Sequence, residues 1–340
     1  MTERAAFSRD LLALDGAAEA DRIAGGLRNA LARTLRRRGL VVGISGGIDS
    51  SVTAALCVRA VGRDRVIGLQ MPERHSAEDT PALSGLIADH LGIRSVPIDI
   101  SPILEAVGYY ERYDDAVRTA VPGYGPGWRS KIVVSETAED KAYTFFSIVA
   151  VSPEGREVRQ RLDLGSYLAI VAATNFKQRV RKMLEYYHAD LANYAVAGTP
   201  NRLEYDQGFF VKQGDGAADI KPIAHLYKSQ VYDLARYLGL PEAIVNRPPT
   251  TDTYSLPQGQ DEFFFAVPYD VMDLCLYGKN NGYGPEEVAP AAGLAPGRIR
   301  AIYQDIDRKR ATTRYLHLPP VLVVPVPEID AVPGASREAG

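Results

Sequence analysis

The stretch Ser45-Gly46-Gly47-Ile48-Asp49-Ser50 constrains this chain more than any other. It follows the apolar run Val41-Val42-Gly43-Ile44 and leads into a helical pattern over 51–61. A strand that turns through glycines into a helix start builds an anion site, because unpaired backbone N–H groups and the positive helix end converge there. Glycines let the backbone approach phosphate oxygens, Ser45 and Ser50 add hydroxyl donors, and the Asp49 carboxylate suits a Mg²⁺ ion bridging those oxygens. Open parallel sheets place their ligands at such strand ends, so the expected ligand is ATP.

The surrounding pattern supplies the sheet. An amphipathic helix over 15–38, with Ile23, Leu27, Leu31 and Leu35 on one face, precedes a strand over 40–44. A helix over 51–61, a strand over 66–71, a helix over 82–91 and a strand over 95–98 complete a βαβαβ run. That alternation implies an α/β fold with a doubly wound, mainly parallel sheet and flanking helices. Between 121 and 164 the pattern changes. Pro122-Gly123-Tyr124-Gly125-Pro126-Gly127 breaks regular structure, 143–151 is rich in strand formers, and Ser152-Pro153-Glu154-Gly155 turns into the alternating 156–162. A β-hairpin insertion is expected there. A long helix over 166–189, a buried strand over 194–198 and helices over 228–238, 268–277 and 296–308 follow. With 46% hydrophobic residues in 340, the chain can bury a full core, and residues 1–326 are expected to form one domain with 327–340 as a loose tail.

Several function classes are disfavoured. A net charge of −3 gives no general reason to expect a nucleic-acid partner. Cys57 and Cys275 are too few for a disulfide framework and form no C-x-x-C pair, which fits a reducing cytoplasm. The first residues lack the apolar core of a signal peptide, and no segment approaches 18 uninterrupted apolar residues, so no membrane span is expected. His75, His90, His188, His225 and His317 show no zinc spacing. Gly43-Ile44-Ser45-Gly46-Gly47 matches the serine-hydrolase elbow G-x-S-x-G, but the adjoining Asp49-Ser50 favours ATP.

No Lys follows the glycines, so this is not the ordinary P-loop. The pattern resembles the SGGxDS pyrophosphatase loop of enzymes that split ATP between its α and β phosphates. A second cluster lies downstream, in Gly198-Thr199-Pro200-Asn201-Arg202-Leu203-Glu204 and in 208–219, which contains Lys212, Asp215 and Asp219. With 175–179, 222–228 and Pro249-Thr250, the chain resembles the ammonia-dependent NAD synthetases of the ATP pyrophosphatase (PP-loop, adenine nucleotide alpha hydrolase-like) superfamily from about residue 21 to 280. The resemblance implies a Rossmann-like fold and ATP-dependent amidation of nicotinic acid adenine dinucleotide (deamido-NAD) with ammonia, through an acyl-adenylate. It implies that Gly43, Ile44, Ser45, Gly46, Gly47, Ile48, Asp49 and Ser50 bind ATP together with Thr199, Lys228 and Thr250. Asp49 and Glu204 would hold Mg²⁺, Arg179, Lys212 and Asp219 would contact the acid dinucleotide, and Asp49, Lys212 and Lys228 would carry the chemistry. The family is typically homodimeric. No glutaminase segment is evident, so ammonia would arrive free or from a separate protein.

Read from the residues alone, these roles have ordinary alternatives. Asn201-x-x-Glu204 is also a capping-box pattern, in which Glu204 returns to the N-cap amide. Lys212 and Lys228 suit charge developing on phosphoryl oxygens, or are solvated lysines. Asn175 and Arg179 lie one helical turn apart while Lys177 points roughly 160° away, leaving Arg179 a binding residue or a surface charge beside Lys177, Arg181 and Lys182. Asp215 between two glycines could be a turn residue, and Tyr186-Tyr187 or Phe263-Phe264-Phe265 could stack on a base or fill core.

The chain departs from the family pattern in three places. Pro200 stands where many members have Asp, Arg314-Tyr315-Leu316-His317-Leu318 stands before Pro319-Pro320 where many have a His-Lys pair, and the 121–164 insertion is long. Amidation of another small carboxylic acid, or non-catalytic nucleotide binding, therefore stand as alternatives.

Overall fold

The computed structural model describes residues 4–135, 145–249, 253–259, 264 and 267–326. In chain order the main elements begin with α1 (Gly16–Asn29), β1 (Leu40–Gly43), α2 (Ile48–Val61), β2 (Val66–Gln70), α3 (Thr80–Leu91) and β3 (Arg94–Pro97). Next come α4 (Ser101–Ala106), α5 (Tyr109–Ala120), β4 (Arg129–Ser135), β5 (Phe145–Val151), β6 (Glu157–Arg161), α6 (Leu164–Ala192) and β7 (Ala195–Ala197). The chain continues through α7 (Arg202–Gln207), α8 (Lys228–Tyr237), α9 (Glu242–Val245), α10 (Tyr269–Asn280), α11 (Pro285–Ala292) and α12 (Pro296–Thr313).

The main sheet has the order β3-β2-β1-β7, all parallel, so β1 is an inner strand beside β2 and β7. Its residues Leu40, Val41 and Val42 are all fully buried, as expected of a strand covered on both faces. Alternation along the strands divides the core. Leu40, Val42, Val66, Ala195 and Ala197 pack with α1, α2 and α8, while Val41, Ile67, Leu69 and Val196 face α5 and α6. A third apolar cluster joins α10, α11 and α12 to Leu203 of α7.

The doubly wound arrangement agrees with the expectation from sequence, and most boundaries shift by a few residues. The expected helix over 15–38 is α-helical only to Asn29, passes into a π turn (Ala30–Leu35) and ends at Arg36, whose φ is +51°. The expected hairpin of the insertion is present as β5 and β6, and a third strand, β4, joins it along the other edge of β5. β4, β5 and β6 form a three-stranded antiparallel sheet, with Ile132 opposite Ile148 and Ala150 opposite Val158. β4 was hidden because it follows immediately on the Pro-Gly run, yet its Ile132 is fully buried and closes the layer over α5 and α6. The expected tail over 327–340, Thr250, Phe263 and Phe265 lie outside the described residues.

Candidate active site

The glycine loop joins β1 to α2. Gly46 has φ +73°, and a Cβ there would stand 2.5 Å from Cβ of Leu83, so only glycine lets the loop pass beneath α3. The Ser50 hydroxyl accepts the Ser45 N–H at 3.3 Å and donates to the Gly47 carbonyl at 3.0 Å, fastening the turn. Beyond it opens a cavity of about 580 Å³, within the usual range for small-molecule sites.

Asp49, in the first turn of α2, faces this cavity and anchors a polar cluster. One of its oxygens accepts from Nδ2 of Asn201 at 3.0 Å, and the other accepts from Nζ of Lys228. Asn201 is the N-cap of α7, its Oδ1 accepting the Leu203 and Glu204 amides at 2.9 and 3.2 Å, while Glu204 Oε2 accepts the Asn201 N–H at 3.0 Å. Glu204 is therefore a capping residue, and the same cap delivers it to the cavity wall beside Asp49. Burial, reinforced by the Asp49 charge, pushes the Glu204 carboxyl up to about 8. Glu204→Gln keeps an acceptor for the Asn201 amide and removes the charge. It is expected to keep the melting temperature while sharply lowering turnover, whereas Glu204→Ala also loses the cap at about 1 kcal/mol. Normal turnover by the folded Gln variant would leave Glu204 with the cap alone.

Lys228 is buried at the start of α8. Burial alone would lower its pKa, but the charges of Asp49 and Glu204 outweigh that and raise it. Asp273 of α10 fixes this helix start, accepting the Lys228 and Ser229 amides at 3.1 and 2.7 Å. Burial pushes the Asp273 carboxyl up to about 6 despite those amides, so the fold disfavours its ionised form. Its stabilising contribution is fully present below the unfolded carboxyl's pKa, about 4, and is lost as pH rises through about 6. Asp273→Asn should flatten the pH dependence of the urea midpoint between pH 4 and 7; an equally steep variant profile would contradict this account.

The opposite wall is basic. Lys212 donates to the Tyr315 and Leu318 carbonyls at 2.6 and 3.2 Å, so the segment after α12 reaches over the cavity, and Arg179 donates to the Lys212 carbonyl at 3.4 Å. On α6, the buried Lys182 pairs with Glu185 at 2.6 Å, and Arg181 donates to the Met71 carbonyl at 3.2 Å. Asp215, half-buried on the cavity wall, accepts the Val211 amide at 2.7 Å, which makes it a turn residue.

Of the residues singled out in the sequence, Gly43, Ile44, Ser45, Gly47, Asp49, Ser50, Thr199, Glu204, Arg179 and Lys212 line the cavity together. Gly46 and Ile48 stand behind the loop, Ile48 in the apolar core. Lys228 also lies behind the wall, reaching the site through Asp49. Asp219 is not brought to the cavity. Its carboxylate accepts the Val196 amide at 2.7 Å and the Tyr186 hydroxyl at 3.3 Å, bracing β7 against α6. Tyr186 packs against the core, whereas Tyr187 is exposed.

Sequence reasoning passed over Asn201 as a bridge to Asp49. It also took Lys177 and Lys182 for surface charges and did not consider Glu185 or the stacked Phe146 and Tyr167, five residues that line the cavity. Lys177 shares a helical face with Ile170 and Thr174, a pattern that signals burial.

A divalent cation fits the donor set. Asp49 and Glu204 are oxygen donors, close enough that the Asp49 charge helps to raise the Glu204 carboxyl, and hard cations take few protein ligands when phosphates supply the rest. Among the described residues no group of three metal-ligating side chains exists.

Comparison with known proteins agrees with this geometry. The family model described as NAD synthase matches residues 19–123 and 143–314, leaving out part of the insertion. The NH(3)-dependent NAD(+) synthetase of Rhizobium meliloti is 58% identical over 327 residues, covering 96% of this chain and 98% of the relative. The enzyme of the same description from Thermotoga maritima is 37% identical over 241 residues, covering 70% and 79%. In fold, the chain is similar to an NMN synthetase of Francisella tularensis (TM-score 0.62, 22% identity, covering 91% of this chain and 100% of that one). It is also similar to an NH3-dependent NAD synthetase of Campylobacter jejuni (TM-score 0.60, 21% identity, covering 92% and 100%). A glycine loop, a carboxylate pair and a matching family model over most of its length place this chain in the NAD synthase family.

Proposed function

We propose that the protein is a C–N ligase that amidates deamido-NAD with ammonia, using ATP as co-substrate and forming NAD, AMP and pyrophosphate. The observation that carries this reading is the Asp49–Asn201–Glu204–Lys228 cluster at the mouth of the glycine loop, opposite the basic wall of Arg179 and Lys212. One wall suits the triphosphate and the other the phosphates of a dinucleotide.

The substrate carboxylate attacks the α-phosphorus, pyrophosphate leaves toward the amides and hydroxyls of the glycine loop, and ammonia then displaces AMP from the acyl-adenylate. Mg²⁺ held by Asp49 and Glu204 would offset phosphate charge. Lys228 holds Asp49 in place, Ser45 and Ser50 offer hydroxyls, and Thr199 edges the ATP side. Lys212, once turned from the Tyr315 and Leu318 carbonyls, supplies a cation for the reacting region. No covalent nucleophile is required.

Residues 1–326 are taken as one domain. A homodimer is supported by Leu164, Leu168, Met183, Tyr187 and Leu191, large apolar side chains left exposed on α6. A monomer in sedimentation at micromolar concentration would remove that assignment. No described helix is long and apolar enough to cross a membrane.

The test is pyrophosphate release with Mg-ATP and ammonium, with and without deamido-NAD, alongside mass detection of NAD. Dinucleotide-dependent release with matching NAD is the expected result. Release driven by a different acid would move the substrate assignment while keeping the adenylation chemistry.

A further inference from the structure

Lys177, on the inner face of α6, is 1% exposed, a burial that an ammonium tolerates only when paired. Its Nζ lies 2.6 Å from Oε1 of Glu73, whose side chain is fully buried, and donates to the Thr253 carbonyl at 3.1 Å. The second Glu73 oxygen accepts the Tyr110 hydroxyl at 3.0 Å, and the Tyr109 ring lies 5.4 Å from the ammonium. One cation thus joins three walls of the cavity. These are the turn after β2, where Met71 and Pro72 face the cavity, the helix α6 itself, and the Thr253–Tyr254 segment.

The far side of that segment is sewn to the insertion. The Ser130 amide donates to the Ser255 hydroxyl at 2.9 Å, the Leu256 amide to the Ser130 carbonyl at 3.2 Å, and Lys131 Nζ to the Pro257 carbonyl at 3.1 Å. Gln258 adds a donor to the Ile132 carbonyl. The edge of β4 therefore holds the segment from outside while Lys177 holds it from inside.

We propose that Lys177 is a positioning residue for nucleotide binding, setting the spacing between the β2 turn and the Thr253–Tyr254 segment, and that the insertion sheet is the outer brace of the same wall. A neutral filler would satisfy packing alone. An ammonium shared between a carboxylate on one wall and a carbonyl on another fixes a distance between them, because it keeps both contacts at once only at one spacing of the walls. The assignment of ATP to this cavity rests on the proposed function, while the linkage of the walls does not.

The experiment compares the wild type with Lys177→Met and with the double variant K177M/E73Q. The single variant leaves the Glu73 carboxylate buried without its cation, a loss that can unfold the chain. The double variant removes both charges, and such a replacement is often neutral for stability. Equilibrium dialysis is expected to show ATP binding weakened about tenfold in the folded double variant. In steady state KM for ATP should rise by a similar factor, with kcat nearly unchanged. A folded double variant that binds ATP as tightly as the wild type overturns the proposal and leaves Lys177 a packing residue. Should neither variant fold, hydrogen exchange on the wild type decides. ATP is expected to slow exchange in 72–76 and in 253–258 together, and slowing in only one of them overturns the proposal. Wild-type protein that binds ATP but forms no NAD from deamido-NAD would refute the substrate assignment and leave the binding comparison intact.

Discussion

Asp49→Asn is expected to lower pyrophosphate release by roughly a hundredfold or more, the scale on which removing one preorganised electrostatic group acts. Both Asp49 oxygens are engaged, one by the Asn201 amide and one by the Lys228 ammonium. Asparagine offers a single acceptor, so its own N–H₂ would meet a donor on one side or the other. The variant also halves the carboxylate pair available to a cation. The fold should survive, because Glu204 remains close enough to Lys228 to raise the lysine's pKa and so keeps that ammonium from being stranded. Pyrophosphate release titrated against Mg²⁺, beside a melting curve, checks both halves. Full activity with unchanged metal dependence would remove Asp49 from the chemistry.

Gly208→Ala is expected to cost stability on the order of 3 kcal/mol, from a left-handed backbone and from overpacking. Gly208 closes α7 with φ +73°, and an added Cβ would stand 2.3 Å from Cβ of Thr313 at the end of α12. Thr313 cannot simply turn away, since its hydroxyl donates to the Lys309 carbonyl at 2.7 Å and to the Gln207 carbonyl at 3.3 Å. Because α7 carries Glu204 in its first turn, the strain should also reach the carboxylate pair. Urea denaturation with a parallel turnover assay tests this, and a variant as stable as wild type would mean that α12 yields at little cost.

The legible parts of this protein were local. Ser45 to Ser50 announce their loop because the turn needs glycines and hydroxyls within six consecutive residues, and β1 and β2 announce themselves as apolar runs covered on both faces. Asn201-x-x-Glu204 was readable as a cap for the same reason, a cap being a contact between near neighbours. The illegible parts were contacts across the fold. Nothing within α6 says that Lys177 meets a glutamate from the turn after β2, that Glu185 meets the back of Gly43, or that Asp219 turns from the cavity to brace β7.

The sequence by itself determined the α/β class, the strand-loop-helix that presents the amides, and the presence of Asp49, Glu204, Lys212 and Lys228, because each depends on periodicity or on a short motif. Only the tertiary structure decided which of these side chains share a space. Asp49 and Asn201 are 152 positions apart in the chain, and they meet because β1 and β7 are hydrogen-bonded neighbours whose C-terminal ends open on the same side of the sheet. Strand order, a property of the whole core, converts a distant cap into part of a site.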